Sequence, residues 1–155
     1  MRFWCDESVG RKDKDKIEHI LDYAFNLADE VEFNILYSGD RELLNAIEQI
    51  QSDVIQRGQR FDKIYTGVEF VRFRLTDKVK SFVKTKGLFG WTNTQLEDIS
   101  FLRAGFEFLG TVSHENHLIL QMTDEQRKTF NENGFNFEYD YGTDVREQVE
   151  KANDR

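Results

Sequence analysis

Proline occurs nowhere in the 155 residues, although a usual frequency of about 5% would supply several. No slow prolyl isomerisation therefore limits folding. Cys5 is the single cysteine, which excludes an intramolecular disulfide and suits a reducing compartment. No apolar run approaches the ~20 residues of a membrane-spanning helix. The N-terminal stretch MRFWCDESVGRKDKDK turns strongly charged from Asp6 onward, too early for the apolar segment of a signal peptide. The expectation is a soluble, cytoplasmic chain. Positive charge is in deficit as well. Lys and Arg number 21 against 29 Asp and Glu, a net charge of −8, which repels a duplex and disfavours nucleic acid as a partner. There is no Walker-type phosphate loop, no G-x-G-x-x-G, no G-x-S-x-G, no H-E-x-x-H and no EF-hand loop. No motif therefore points to an enzyme, a resident metal or a cofactor.

Hydrophobic residues make up 39% of the chain and aromatics 14%, with 14 Phe. A chain of this length buries roughly 70% of the surface it exposes when unfolded. That suffices for one domain, here residues 1–155, without disulfide or metal support. The charge is unevenly spread. Residues 57–86 hold nine basic residues and three acids, a local excess of six positive charges, which leaves the remainder at −14.

Periodicity sets out the elements. Residues 2–5 suit a short strand. Ile17, Ile20, Leu21, Ala24, Leu27, Ala28 and Val31 share one face of a helix over about 13–30. VEFNILY alternates as a strand. Leu43, Leu44, Ile47, Ile50 and Val54 predict a helix from Asp40 as its cap to Gly58 as its stop. KIYTGVEFVRFRL is rich in β-branched and aromatic residues and reads as a strand. A short helix runs from Thr76 to Gly87. Thr94 with Glu97 forms a capping-box pattern that predicts a helix ending at Gly105. FEFLGTV and HLILQM form a hairpin around SHEN. Thr123 with Gln126 opens another short helix, ended by Gly134. FNFEYDYG, residues 135–142, alternates four rings with amide and carboxylate, as an outer strand would. A helix follows from Thr143. The pattern predicts an α+β fold with a mixed or antiparallel single-layer sheet and helices largely on one face.

Candidate surfaces follow from the charge layout. Glu138 and Asp140 continue into Asp144, Glu147 and Glu150 at helical spacing, an acidic strip suited to a basic partner or to solvation. GLFGW offers Leu88, Phe89 and Trp91, which either anchor a partner or fold inward. Arg72 and Arg74 share one side of a strand, followed by Lys78. Their geometry suits phosphate or an acidic ligand, or neutralises the protein's own acids. His114 and His117 flank Glu115 without further local metal ligands, so they read as loop residues. His19, beside the apolar stripe, reads as structural. Cys5 with Asp6 and Glu7 stands at a strand end, where neighbouring carboxylates blunt the thiol.

The leading expectation is a small acidic binding protein that occupies a partner macromolecule. Glu138, Asp140, Asp144, Glu147, Phe89 and Trp91 are its contacts. Its composition is of the sort seen in phage accessory and bacterial immunity proteins. The alternative is a nucleotide or phosphate binder, or a nucleotide-acting enzyme, using Arg72, Arg74 and Lys78.

Overall fold

A computed structural model describes residues 1–6, 14–36, 40–61 and 66–140. Among these, eight strands form one antiparallel sheet. They are β1 (Arg2–Asp6), β2 (Glu30–Ile35), β3 (Val54–Phe61), β4 (Thr66–Arg74), β5 (Leu96–Arg103), β6 (Phe106–Val112), β7 (His117–Gln121) and β8 (Glu138–Tyr139). Their spatial order is β3-β4-β2-β5-β6-β7-β1-β8. Four helices join them: α1 (Lys14–Leu27), α2 (Asp40–Ile47), α3 (Asp77–Lys84) and α4 (Asp124–Glu132), with a 3-10 segment Glu48–Asp53 after α2. The fold is α+β with a single sheet, and every pairing within it is antiparallel.

Strand alternation explains the layering. Val31, Phe33 and Ile35 of β2, Val71 and Phe73 of β4, Ile99 and Phe101 of β5, Leu118 and Leu120 of β7, and Phe3 and Cys5 of β1 are buried in one cluster. The apolar stripes of the four helices belong to that same cluster. Phe25 of α1 meets Phe101 edge-on at 5.8 Å. Phe130 of α4 meets Phe135 and Phe137 at 5.5 and 5.7 Å. The described helices thus lie on one side of the sheet.

Thr76 caps α3, accepting from the Val79 amide. The capping box at Thr123 and Gln126 forms in full. In the first turn of α4, hydrogen bonds from Arg127 and then Lys128 hold the Asp124 carboxyl below its ordinary range. A lowered carboxyl stabilises the fold above its unfolded pKa, and that contribution disappears as pH falls through the folded value.

Three elements differ from the sequence reading. Residues 96–103 form a strand rather than a helix. β5 is the inner strand between β2 and β6, buried throughout except at Arg103, and its mixed run LEDISFL, with Glu97 and Asp98 adjacent, lacks the strict alternation that marks a strand. Asp98 at φ +49° also breaks helical geometry. The Thr94 hydroxyl serves the Trp91 and Leu96 carbonyls instead of a cap. Second, α2 ends at Ile47, and residues 54–61 form β3. Gly58 is a strand residue, not a helix stop. A Cβ there would lie 3.1 Å from the Phe70 ring, so the glycine makes room for that ring. Third, β8 spans only Glu138–Tyr139. Phe135 and Phe137 are buried and Tyr139 half-buried. The Asn131 side chain replaces a neighbouring strand for Phe137, accepting from its amide at 2.8 Å and donating to its carbonyl at 3.1 Å. Tyr141 and the expected helix from Thr143 lie outside the described residues.

Candidate functional site: the uncovered face of the sheet

The second face of the sheet carries the alternate side chains, and no described helix packs on it. Register places one row straight across it: Gln56, Arg72, Glu32, Ser100, Gly110, Ile119, Trp4 and Glu138. The middle of that row is small, with a serine and a glycine. Larger groups rise on either side: Glu32 with two arginines toward β3, and Trp4 with His117 toward β1. Small residues between large ones make a hollow of about 470 Å³, lined among others by Asn34, Arg60, Asp98, Ser100, Glu107 and Trp4. Its position is set by topology, since five strands, β2, β5, β6, β7 and β1, must lie side by side to build its floor.

One wall is an ion-pair network. Glu32 is 2% exposed. It accepts from Arg72 Nε at 2.7 Å and from Arg60 Nη2, while Arg72 Nη1 also reaches Glu30 at 3.2 Å. A carboxylate taken from water needs such partners, because leaving one buried and unpaired costs several kcal/mol. The other wall is aromatic, with Trp4 and His117 ring centroids 5.1 Å apart.

The floor is less well satisfied. Asn34, 2% exposed, donates Nδ2–H to Asp98 Oδ2 at 3.2 Å, and its Oδ1 has no donor among the described residues. Asp98 is also buried. It accepts from the Ser113 amide at 2.7 Å and has no cation beside it among the described residues. The Glu107 carboxylate lies over Gly110, where a Cβ would stand 3.0 Å from Glu107 Oε1. Its nearest cation is Arg60, at 4.0 Å. Near this floor Glu97, wholly buried, accepts from the Asn93 amide at 3.0 Å and has His114 Nε2 2.7 Å from its second oxygen. That approach brings the β6–β7 turn beside the loop before β5, but Glu97 Oε2 is buried without a hydrogen bond among the described residues.

The residues singled out from sequence are distributed as follows. Glu138 is exposed at the rim of the uncovered face, and Asp140 lines the hollow, 3.4 Å from Arg2. Asp144, Glu147 and Glu150 lie outside the described residues. Phe89 and Trp91 are on the opposite side of the sheet, so they share no surface with the acidic residues. Trp91 folds inward. It is buried, donates Nε1–H to the Gly87 carbonyl at 2.7 Å, and packs on Phe33 at 4.9 Å. That carbonyl satisfies the indole, which lets the ring fill the core. Phe89 borders a larger hollow of about 720 Å³ between α1 and the turn after α3. The lysines there already face rings or acids: Lys84 stands over Phe25, Lys86 over Trp91, and Lys14 near Glu18.

The basic band divides. Arg72 neutralises Glu30 and Glu32 of the adjacent strand rather than Glu138 or Asp140. Arg74 and Lys78 are exposed. His114 and His117 turn to different carboxylates, Glu97 and Glu115. Among the described residues no three His, Cys, Asp or Glu side chains come together as a metal site. His19 is exposed, with its ring edge-on to Phe130 at 6.2 Å. The Cys5 thiol is buried with the helix-side core. No described helix is long and apolar enough to cross a membrane.

Sequence reading missed Asn34, Asp98, Ser100, Glu107 and Gly110. Asn34, Glu107 and Gly110 look like polar or small positions on the wet side of a strand, and Asp98 and Ser100 fell within the segment read as a helix. Only the strand order shows that they converge. Comparison with family models, curated proteins and solved structures finds no match to this chain.

Proposed function

We propose that this chain is a binding protein that occupies a partner macromolecule, in the manner of an inhibitor or immunity protein, and that its contact surface is the uncovered face of the sheet. The partner is a protein with a basic surface. An antiparallel sheet often leaves one face to water, so exposure alone carries little. The supporting observation is the acid-rich hollow at the centre of that face. Its lining holds four carboxylates, Asp98, Glu107, Glu115 and Asp140, against two guanidiniums, Arg2 and Arg60. Both guanidiniums already face carboxylates. With an overall charge of −8, such a face steers a basic protein toward it and repels an acidic one.

The phosphate-binding reading draws less support. Arg72, its central residue, is engaged by two carboxylates. Among the described residues, Ser100 in the hollow has no hydrogen bond to a base that would make it a nucleophile.

Reversing two exposed rim charges tests the reading. Glu115→Lys with Glu138→Lys is expected to leave the melting temperature nearly unchanged, because exposed charges contribute about 0–1 kcal/mol. The pair is expected to abolish capture of the partner that the tagged wild-type chain retains from its source cell. Reversal of Glu18 and Asp22 on the helix side is the control, and capture should survive it. Capture that survives the rim reversal contradicts the proposal.

A further inference from the structure

The hollow has a specific deficit among the described residues, a buried acceptor without a donor and a buried carboxylate, Asp98, without a cation beside it. Asn34 Oδ1 is buried and has no partner among the described residues. The hydrogen bond from Nδ2 to Asp98 sets the amide orientation, since the reversed amide would point an oxygen at a carboxylate. Asp98 is held by a backbone amide and by Asn34, with no positive charge beside it among the described residues. Among the described residues, the cation nearest Glu107, 35% exposed in its side chain, is Arg60, at 4.0 Å. A metal ion does not match this set, because among the described residues no three His, Cys, Asp or Glu side chains converge. What matches is an organic cation with several N–H donors.

The aromatic wall narrows the choice. Trp4 stands two strands from Gly110, over which the Glu107 carboxylate lies, a separation of about 10 Å in a sheet. A guanidinium is planar, donates in several directions and is weakly hydrated, so it stacks on an aromatic face while its edge meets carboxylates. An ammonium is a compact, strongly hydrated point charge with less to gain from the ring. Val112 and Ile119, which also line the hollow, offer apolar surface to the stem of such a side chain.

We propose that the hollow is a socket for an arginine side chain of the partner, with Glu107 and Asp98 as counter-charges, Asn34 Oδ1 as acceptor and Trp4 as stacking face. This rests on the reading of the sheet face given above and adds to it the residue that the face selects.

The test titrates an acetylated, amidated Ala-Arg-Ala tripeptide into the whole chain and follows two-dimensional ¹⁵N–¹H spectra. The same tripeptide with neutral citrulline, which keeps the shape of arginine, and one with glutamate serve as comparators. The arginine peptide is expected to shift the Trp4 indole and Asn34 side-chain amide signals and to leave the Trp91 indole, on the other side of the sheet, unmoved. Citrulline should bind at least about tenfold more weakly, as loss of a charge-assisted contact implies. Glu107→Gln removes a charge at a partly exposed site. Asp98→Asn does so with a residue that tolerates the positive φ of this position. Each should weaken arginine binding by about tenfold, with the remaining spectrum showing the fold intact.

Equal binding of citrulline, preference for the glutamate peptide, shifts confined to the helix side, or wild-type affinity in both variants would overturn the socket. If the arginine peptide fails while rim reversal still abolishes partner capture, the sheet-face reading stands and the socket is wrong. If rim reversal leaves capture intact, the sheet-face reading itself fails.

Discussion

Phe137→Ala is expected to destabilise the protein by about 3–5 kcal/mol, the usual cost of emptying a buried phenylalanine site. The ring is 1% exposed, stacks on Phe135 at 5.6 Å and meets Phe130 at 5.7 Å. Its backbone is clamped by Asn131, so the chain cannot readily collapse into the space left. Because a typical domain is held by about 5–15 kcal/mol, one such truncation removes a large fraction of the total. Denaturant titration reads the effect as a lower midpoint at constant slope. Glu138→Lys, one residue further on, is exposed and should move the midpoint little. A Phe137→Ala loss below about 1 kcal/mol would mean that the segment after α4 is not docked as described.

The second large effect is at Glu32. Glu32→Ala leaves Arg60 and Arg72 facing one another across the sheet with no carboxylate between them. Breaking a buried ion pair from one side costs about 3–5 kcal/mol. The lower end applies here, because both guanidiniums are about one-fifth exposed and Arg72 keeps Glu30. Arg72→Ala is milder, about 1–3 kcal/mol, since Glu32 retains Arg60. Lys78→Ala, on the exposed side of α3, should change stability by no more than about 0.5 kcal/mol. Equal and negligible losses for all three would show that the network does not hold the sheet face in place.

The two effects mark what could be read from the chain and what could not. The alternation in VEFNI states that Val31, Phe33 and Ile35 face one way and Glu32 and Asn34 the other. It does not state that β2 lies inside the sheet, between β4 and β5, where a polar face becomes a buried one. The same applies to Arg72, whose partners lie about 40 residues earlier in the chain, a pairing that only strand order reveals. Local signals performed well where the local term dominates: the caps at Thr76 and Thr123 and the buried rings Phe135 and Phe137. They failed at residues 94–105, where a register shift against β2 between Glu97 and Ser100 interrupts the period of two, and at Gly58, whose role is to accommodate Phe70 on the next strand. For the candidate site, sequence located the acidic rim at Glu138 and Asp140. The hollow itself was hidden, since Asn34, Ser100, Glu107 and Gly110 belong to three strands and have no spacing in common.

Carboxylate footprinting of the chain, alone and with its captured partner, tests the claim about the sheet face most directly. A water-soluble carbodiimide labels accessible acids, and mass spectrometry locates each label. Partner binding is expected to protect Glu107, Glu115, Glu138 and Asp140 together, while Glu18 and Asp22 on the helix side label as before. Protection of Glu18 and Asp22, with the four acids of the sheet face still fully labelled, would contradict the account.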